Sequence, residues 1–122
     1  MSIKTVVVLG ATPKSDRFAY RAMEMLRQHG HRPLPVNPAF AEILGVACYK
    51  SISDISEPVD TVTLYLSAPR SEPLIGEIVA AKPKRIIFNP GAENEHLERD
   101  ARLAGIEVVH GCTLVMLQSG TF

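Results

Sequence analysis

Thr5, Val6, Val7, Val8 and Leu9 form an apolar, mostly β-branched run that stops at Gly10. A run of this length and type fits a strand buried on both faces of a parallel sheet. A polar, basic stretch over residues 12–17 follows. It leads into a helical pattern in which Ala19, Ala22, Met23 and Leu26 share one face and Arg17, Arg21, Glu24 and Arg27 lie off it. A strand, a glycine turn and a helix start bring unpaired backbone N–H groups and the positive end of a helix dipole to one point. The expected ligand therefore carries phosphate, as a nucleotide does. Asp16 stands where an N-cap is expected, and as a cap it would compete with that phosphate.

Strand and helix signals alternate along the rest of the chain. Gly30 closes the first helix, and a strand is expected over residues 32–36, although Pro33 and Pro35 cannot donate ladder hydrogen bonds. Asn37-Pro38 marks a turn, residues 39–44 fit one or two helical turns ending at Gly45, and residues 51–55 a short capped turn. Residues 61–66 are the clearest second strand. Pro69 suits the first turn of a helix whose stripe is Leu74, Ile75, Ile78 and Val79, running to about Ala81. A strand over 85–88, the Asn89-Pro90-Gly91 turn and a helix over 93–104 follow, with Leu97, Ala101 and Ala104 toward the sheet. Residues 107–110 give a fifth strand, and periodicity leaves 112–117 open between strand and helix.

Five strands separated by helices imply right-handed crossovers. The expected fold is α/β: a Rossmann-like, doubly wound, parallel five-stranded sheet in three layers, one domain over residues 1–122. Its ligand should sit outside the carboxyl ends of the strands, where strand order reverses. From the residues alone, the lining is expected from Gly10 to Arg17, including Ala11, Thr12, Lys14 and Ser15; from Asn37, Pro38 and Ala39; from Ser67, Ala68, Pro69 and Arg70; from Asn89, Pro90 and Gly91; and from the tail after His110.

Several function classes are disfavoured. Thirteen basic against 13 acidic residues leave no excess for a nucleic acid or an acidic membrane surface. No apolar run approaches the roughly 18 residues of a membrane span, and the N-terminus lacks a secretory pattern, so a cytoplasmic protein is expected. Cys48 and Cys112 have no CxxC spacing and read as packed thiols, with no metal site expected. The dinucleotide fingerprint is incomplete: its positions read Gly10, Thr12 and Ser15, and Asn37-Pro38 replaces the ribose-binding acid, which disfavours NAD. No P-loop supports ATP hydrolysis. Neither a nucleophile–base arrangement nor a carboxylate pair falls in the strand-end loops, so no catalytic residue is assigned. His110 is expected to satisfy a local hydrogen bond.

A series of short motifs in order points further: Val6-Val7-Val8-Leu9-Gly10-Ala11-Thr12, Tyr20-Arg21, Gly30-His31, Pro35-Val36-Asn37-Pro38, Leu44-Gly45, Cys48-Tyr49, Pro58-Val59-Asp60, Asn89-Pro90-Gly91 and Ala104-Gly105-Ile106. This series resembles the stand-alone CoA-binding proteins, small domains similar to the N-terminal domain of the succinyl-CoA synthetase α chain. The resemblance implies a CoA diphosphate on the first loop and the adenine-ribose end against Val36, Asn37 and Pro38. It also implies that the loop from Leu66 to Pro69 and the Asn89-Pro90-Gly91 turn flank nucleotide and pantetheine. Lys14, Arg17 and Arg70 would then be available to the separate 3′-phosphate. The chain departs from the family pattern at Ala19, where a serine is common, at Ala39, where many members carry a lysine, and over residues 111–117. The resulting expectation is non-catalytic binding of coenzyme A or an acyl-CoA in carriage, sensing or regulation. A small enzyme using another nucleotide, and an interaction module that has lost its ligand, are the alternatives. A homo-oligomer or a protein partner is left open.

Overall fold

A computed structural model describes residues 3–122, so the first two residues of the expected domain lie outside the described ones. Strand β1 (Thr5–Leu9) enters with Val6, Val7 and Val8 wholly buried, and α1 (Phe18–Gln28) crosses back to β2 (Arg32–Val36). The two prolines of β2 lie opposite Val6 and Val8 and are tolerated because β2 is an edge strand. The Pro35 carbonyl faces outward and accepts the Tyr49 N–H (2.9 Å), so the donor that Pro35 lacks would point away from β1.

The helical turns expected over 39–44 are instead a hairpin of β3 (Glu42–Ile43) and β4 (Val46–Ala47). Leu44 (φ +52°) and Gly45 (φ +74°) turn it, and positive φ at both central residues is what a type I′ turn demands. Gly45 therefore serves a hairpin rather than a helix end. Ser51 caps the short 3-10 turn Ile52–Asp54 as expected, accepting the Ser53 N–H.

β5 (Thr61–Leu64) is two residues shorter than the expected strand. The helix expected from Pro69 breaks into α2 (Ala68–Ser71), a 3-10 turn (Glu72–Leu74) and α3 (Ile75–Ala80), because Pro73 brings no N–H to continue the ladder. Ile78 is buried, while Leu74, Ile75 and Val79 pack partly exposed against the same cluster. After β6 (Arg85–Phe88), α4 (Glu95–Leu103) starts two residues later than expected. Asn94 sets that start, its Oδ1 accepting the N–H groups of His96 (3.0 Å) and Leu97 (3.1 Å). Leu97 and Ala101 face the sheet; Ala104, expected beside them, is the exposed C-cap where the chain leaves the helix. β7 (Glu107–His110) follows, and the undecided tail is a helix, α5 (Thr113–Ser119).

The five-stranded sheet is parallel throughout, in the order β2-β1-β5-β6-β7. Val7, Leu9, Val62, Leu64, Ile78, Ile86, Phe88 and Leu97 form the core on one side. Val6, Val8, Met23, Leu26, Ile43 and Leu117 form it on the other. Burying each larger side chain contributes about 1.5–3 kcal/mol. The fold is the expected three-layer, Rossmann-like one. Its order reverses between β1 and β5. No helix among the described residues is long and apolar enough to cross a membrane.

Candidate functional site

The loop after β1 is built around Gly10, whose φ of +93° strains any other residue. A Cβ there would sit 3.0 Å from Leu66 Cδ2 and 3.3 Å from the Tyr65 carbonyl carbon. The Gly10 and Ala11 N–H groups both donate to the Val36 carbonyl (3.1 and 3.3 Å), so they tie the loop to β2 instead of pointing at a ligand. Asp16 is not the N-cap of α1. A turn closed by the Arg17 N–H on the Lys14 carbonyl (3.1 Å) moves the cap to Arg17, whose side chain caps nothing. No acidic residue stands in the first turn, so the leading N–H groups of α1 and its dipole remain open to an anion.

The asparagines of the two Asn-Pro turns are structural. Asn37 donates through Nδ2 to the Ala11 carbonyl (2.8 Å) and accepts the Ala39 N–H through Oδ1 (2.9 Å). Asn89 is buried, donates to Thr63 Oγ1 (2.8 Å) and the Leu64 carbonyl (3.0 Å), and accepts the Thr113 N–H (2.9 Å). Ala39 and Phe40 beyond the first, and Pro90, Gly91 and Ala92 beyond the second, line the space between the loops.

That space is a cleft of about 650 Å³ above the β1–β5 reversal, within the usual range for small-molecule sites. Of the expected residues, Gly10, Thr12, Lys14, Arg17, Asn37, Leu66, Ser67, Arg70, Pro90 and Gly91 line it. Ala11, Val36 and Asn89 are buried and do not line it, while Ser15, Pro38 and Pro69 are exposed away from its wall. Ala39 lines it as expected, whereas Pro13, Asp16, Ala68 and the tail after His110 do not; Phe18, Phe40, Tyr65 and Ala92 line it without being expected there, and Ala19, also in the lining, stands out in the sequence only as a departure. Phe18 follows Arg17 directly, and Tyr65 precedes Leu66, so proximity to the strand-end loops was the available signal.

Charge is concentrated in this cleft. Lys14, Arg17 and Arg70 make no ion pair among the described residues, and the lining holds no carboxylate, imidazole or thiol. A second hollow of about 520 Å³ along the β2 edge differs in this respect. There Arg27 donates to the Leu44 carbonyl (2.7 Å) and Arg32 pairs with Glu57 (2.9 Å). Tyr65 lines the cleft, while its hydroxyl is shut from solvent without a hydrogen-bond partner among the described residues. Burial pushes that phenol up to about 12, against a partial opposing effect of the nearby Thr63 and Thr113 hydroxyls, which bond to each other (2.7 Å).

His110 makes the local bond expected of it, Nε2 to Glu98 Oε1 at 2.8 Å, away from the cleft lining. Arg102 and His110 together hold the Glu98 carboxyl below its ordinary range. Cys48 and Cys112 are free thiols off the lining, and burial raises the pKa of Cys48. No cluster of three metal-ligating side chains exists among the described residues.

An electropositive cleft at the reversal point of a doubly wound sheet defines a domain for a nucleotide-type ligand. The chain belongs to the CoA binding domain family, whose model matches residues 4–118. It is 31% identical over 98 residues to the uncharacterized protein YneT of Bacillus subtilis, spanning 80% of this chain and 59% of that one. It is also 31% identical over 63 residues to an ADP-forming acetate–CoA ligase of Methanocaldococcus jannaschii, spanning 52% of this chain but only 9% of the ligase. Among solved structures, one of an uncharacterized protein superposes over the full length of both chains with a TM-score of 0.94 and 48% identity.

Proposed function

We propose that this chain binds coenzyme A or an acyl-CoA in the cleft and catalyses no reaction there, serving as a carrier, sensor or recruiting module. The observation that carries the reading is the convergence of Lys14, Arg17 and Arg70, all without ion pairs among the described residues, on one cleft beside the uncapped start of α1. A diphosphate needs such partners, and charge-assisted hydrogen bonds to it are about twice as strong as neutral ones. Family membership supports coenzyme A as the diphosphate's owner. A lining without carboxylate, imidazole or thiol supports binding over group transfer, because general acid–base work uses such groups.

The test is thermal unfolding with coenzyme A, dephospho-CoA, acetyl-CoA, NAD, NADP and ATP. Ligand at 100 times its Kd adds about 2.7 kcal/mol, enough to raise the Tm of a domain this size by several degrees. Coenzyme A or acetyl-CoA should produce that rise. A rise with NAD alone, or none with any of the six, would overturn the reading.

A further inference from the structure

Of the three cleft cations, Arg70 alone follows β5, and it rides on α2, the short helix Ala68–Ser71. A helix this short does not hold its shape unaided. Pro69 lies in its first turn and Pro73 just beyond its end. The Arg70 and Ser71 N–H groups both donate to the Ser67 carbonyl (3.0 and 2.9 Å). Those bonds close the turn but join it to nothing else. Ser71 is the only buried residue of α2, so no apolar side chain anchors the helix.

The anchor is polar. Asn94, 5% exposed at the start of α4, donates through Nδ2 to Ser71 Oγ (2.9 Å) and, over 3.4 Å, to the Ala68 carbonyl. Its Oδ1 accepts the His96 and Leu97 N–H groups (3.0 and 3.1 Å). Both amide donors and both acceptor positions of Asn94 are therefore in use. It has nothing left for a ligand. The two accepted bonds lock the amide to α4, and the two donated bonds lock α2 to the amide. Close substitutes do half of this: serine caps a helix but is too short to reach α2, and aspartate caps but donates nothing. The other tie between these segments, Glu72 Oε2 to His96 Nδ1 at 3.0 Å, is exposed, where such pairs contribute little. Pro90, Gly91 and Ala92, which line the cleft, lead directly into Asn94. One amide thus joins the wall that carries Arg70 to the wall formed by the turn after β6.

We infer that Asn94 is a positioning residue: through Ser71 it holds α2 against the start of α4, and so presents Arg70 to a ligand phosphate. The inference rests on the phosphate-bearing ligand proposed above. An exposed arginine loses side-chain freedom when it grips an anion, and a fixed backbone beneath it lowers that cost. The hydrogen bonds of a guanidinium to phosphate also depend on geometry, so a displaced α2 weakens them.

A double-mutant cycle, read by calorimetric titration of coenzyme A, tests this. Arg70→Ala should weaken binding about tenfold. Asn94→Ser, which keeps a cap on α4, should weaken it about fivefold, but less than about twofold further when Arg70 is already alanine. Ser71→Ala leaves the cap of α4 untouched and should repeat that pattern, so it carries the test if the Asn94 variant does not fold. A merely structural role would lower affinity by the same factor with or without Arg70. That result, or unchanged affinity in any of the three single variants, would overturn the inference and leave the coenzyme A reading standing. A protein that ignores coenzyme A but binds inorganic pyrophosphate, with the same Arg70-dependent losses, would uphold the role of Asn94 and overturn the coenzyme A reading. Binding of neither would overturn both.

Discussion

The Asn37 side chain donates through Nδ2 to the Ala11 carbonyl over 2.8 Å, joining the turn after β2 to the loop after β1. The same amide accepts the Ala39 N–H (2.9 Å), so one residue sets the relative position of two cleft walls. Asn37→Ala leaves a carbonyl and an N–H without partners, a destabilisation of about 1–3 kcal/mol. Denaturant melts should show that loss, and calorimetry a weaker coenzyme A affinity. Unchanged stability would mean that the two loops hold their positions without the bridge.

Gly10→Ala tests the close approach of the first loop to Leu66. The added Cβ would meet Leu66 Cδ2 at 3.0 Å in a backbone with φ of +93°. A residue held in such a conformation costs on the order of 1–3 kcal/mol. The midpoint of denaturation should fall accordingly; an unaltered midpoint would show that the loop accommodates a side chain.

Arg17 and Arg32 make an informative pair. Arg17 lines the cleft without an ion pair among the described residues, whereas Arg32 is bound to Glu57 at 2.9 Å outside it. Arg17→Ala should weaken coenzyme A by about 1–2 kcal/mol, with less dependence on salt, and Arg32→Ala should leave the affinity as it was. Equal effects of the two substitutions would point to the overall field and not to contact in the cleft.

His31 links stability to pH at the opposite end of the sheet. Its Nδ1 accepts the Lys4 N–H (3.1 Å), which requires that nitrogen to be unprotonated, and its ring lies 5.2 Å from that of Phe122. Burial, then the charge of Lys4, hold its pKa below the ordinary value, with His29 and Arg85 adding to the shift and Asp60 opposing it. Above about pH 7 both folded and unfolded chains carry it neutral, and the stability is intact. As pH falls through the unfolded value of about 6.5, the unfolded chain takes up a proton that the folded one resists, so stability declines toward the lower folded value. Melting curves between pH 7.5 and 5.5 should show this decline, and His31→Asn should flatten it. The same slope in both proteins would exclude His31 as its source.

Much of the fold is legible because the buried strands advertise themselves. The Thr5–Leu9 run, the alternation beginning at Thr61 and the glycine after each long helix fix the order of elements without tertiary information. The residues over 39–44 misled because a Leu44-Gly45 pair serves equally as a helix end or a type I′ turn, and only Ile43 packing against the α1 side decides. Pro73 breaks the helix expected from Pro69, a break that the apolar stripe beyond it does not disclose.

The candidate site was legible by loop and not by atom. Strand-end loops followed from topology, which brought in Lys14, Arg17 and Arg70. Which way a side chain turns did not follow. Asn37 and Asn89 look like ligand groups in sequence and prove to be braces, because the carbonyls they satisfy belong to the loop after β1 and to β5. Phe18 and Phe40 give no signal in the sequence, because an aromatic residue at a helix start or in a loop has no periodicity to expose it.

A crystal structure of the protein soaked with coenzyme A tests the account at its centre. The diphosphate should lie at the start of α1, within hydrogen-bonding reach of its leading N–H groups and of Lys14 or Arg17. Coenzyme A bound on another face of the molecule, or a cleft left unfilled at saturating ligand, would contradict it.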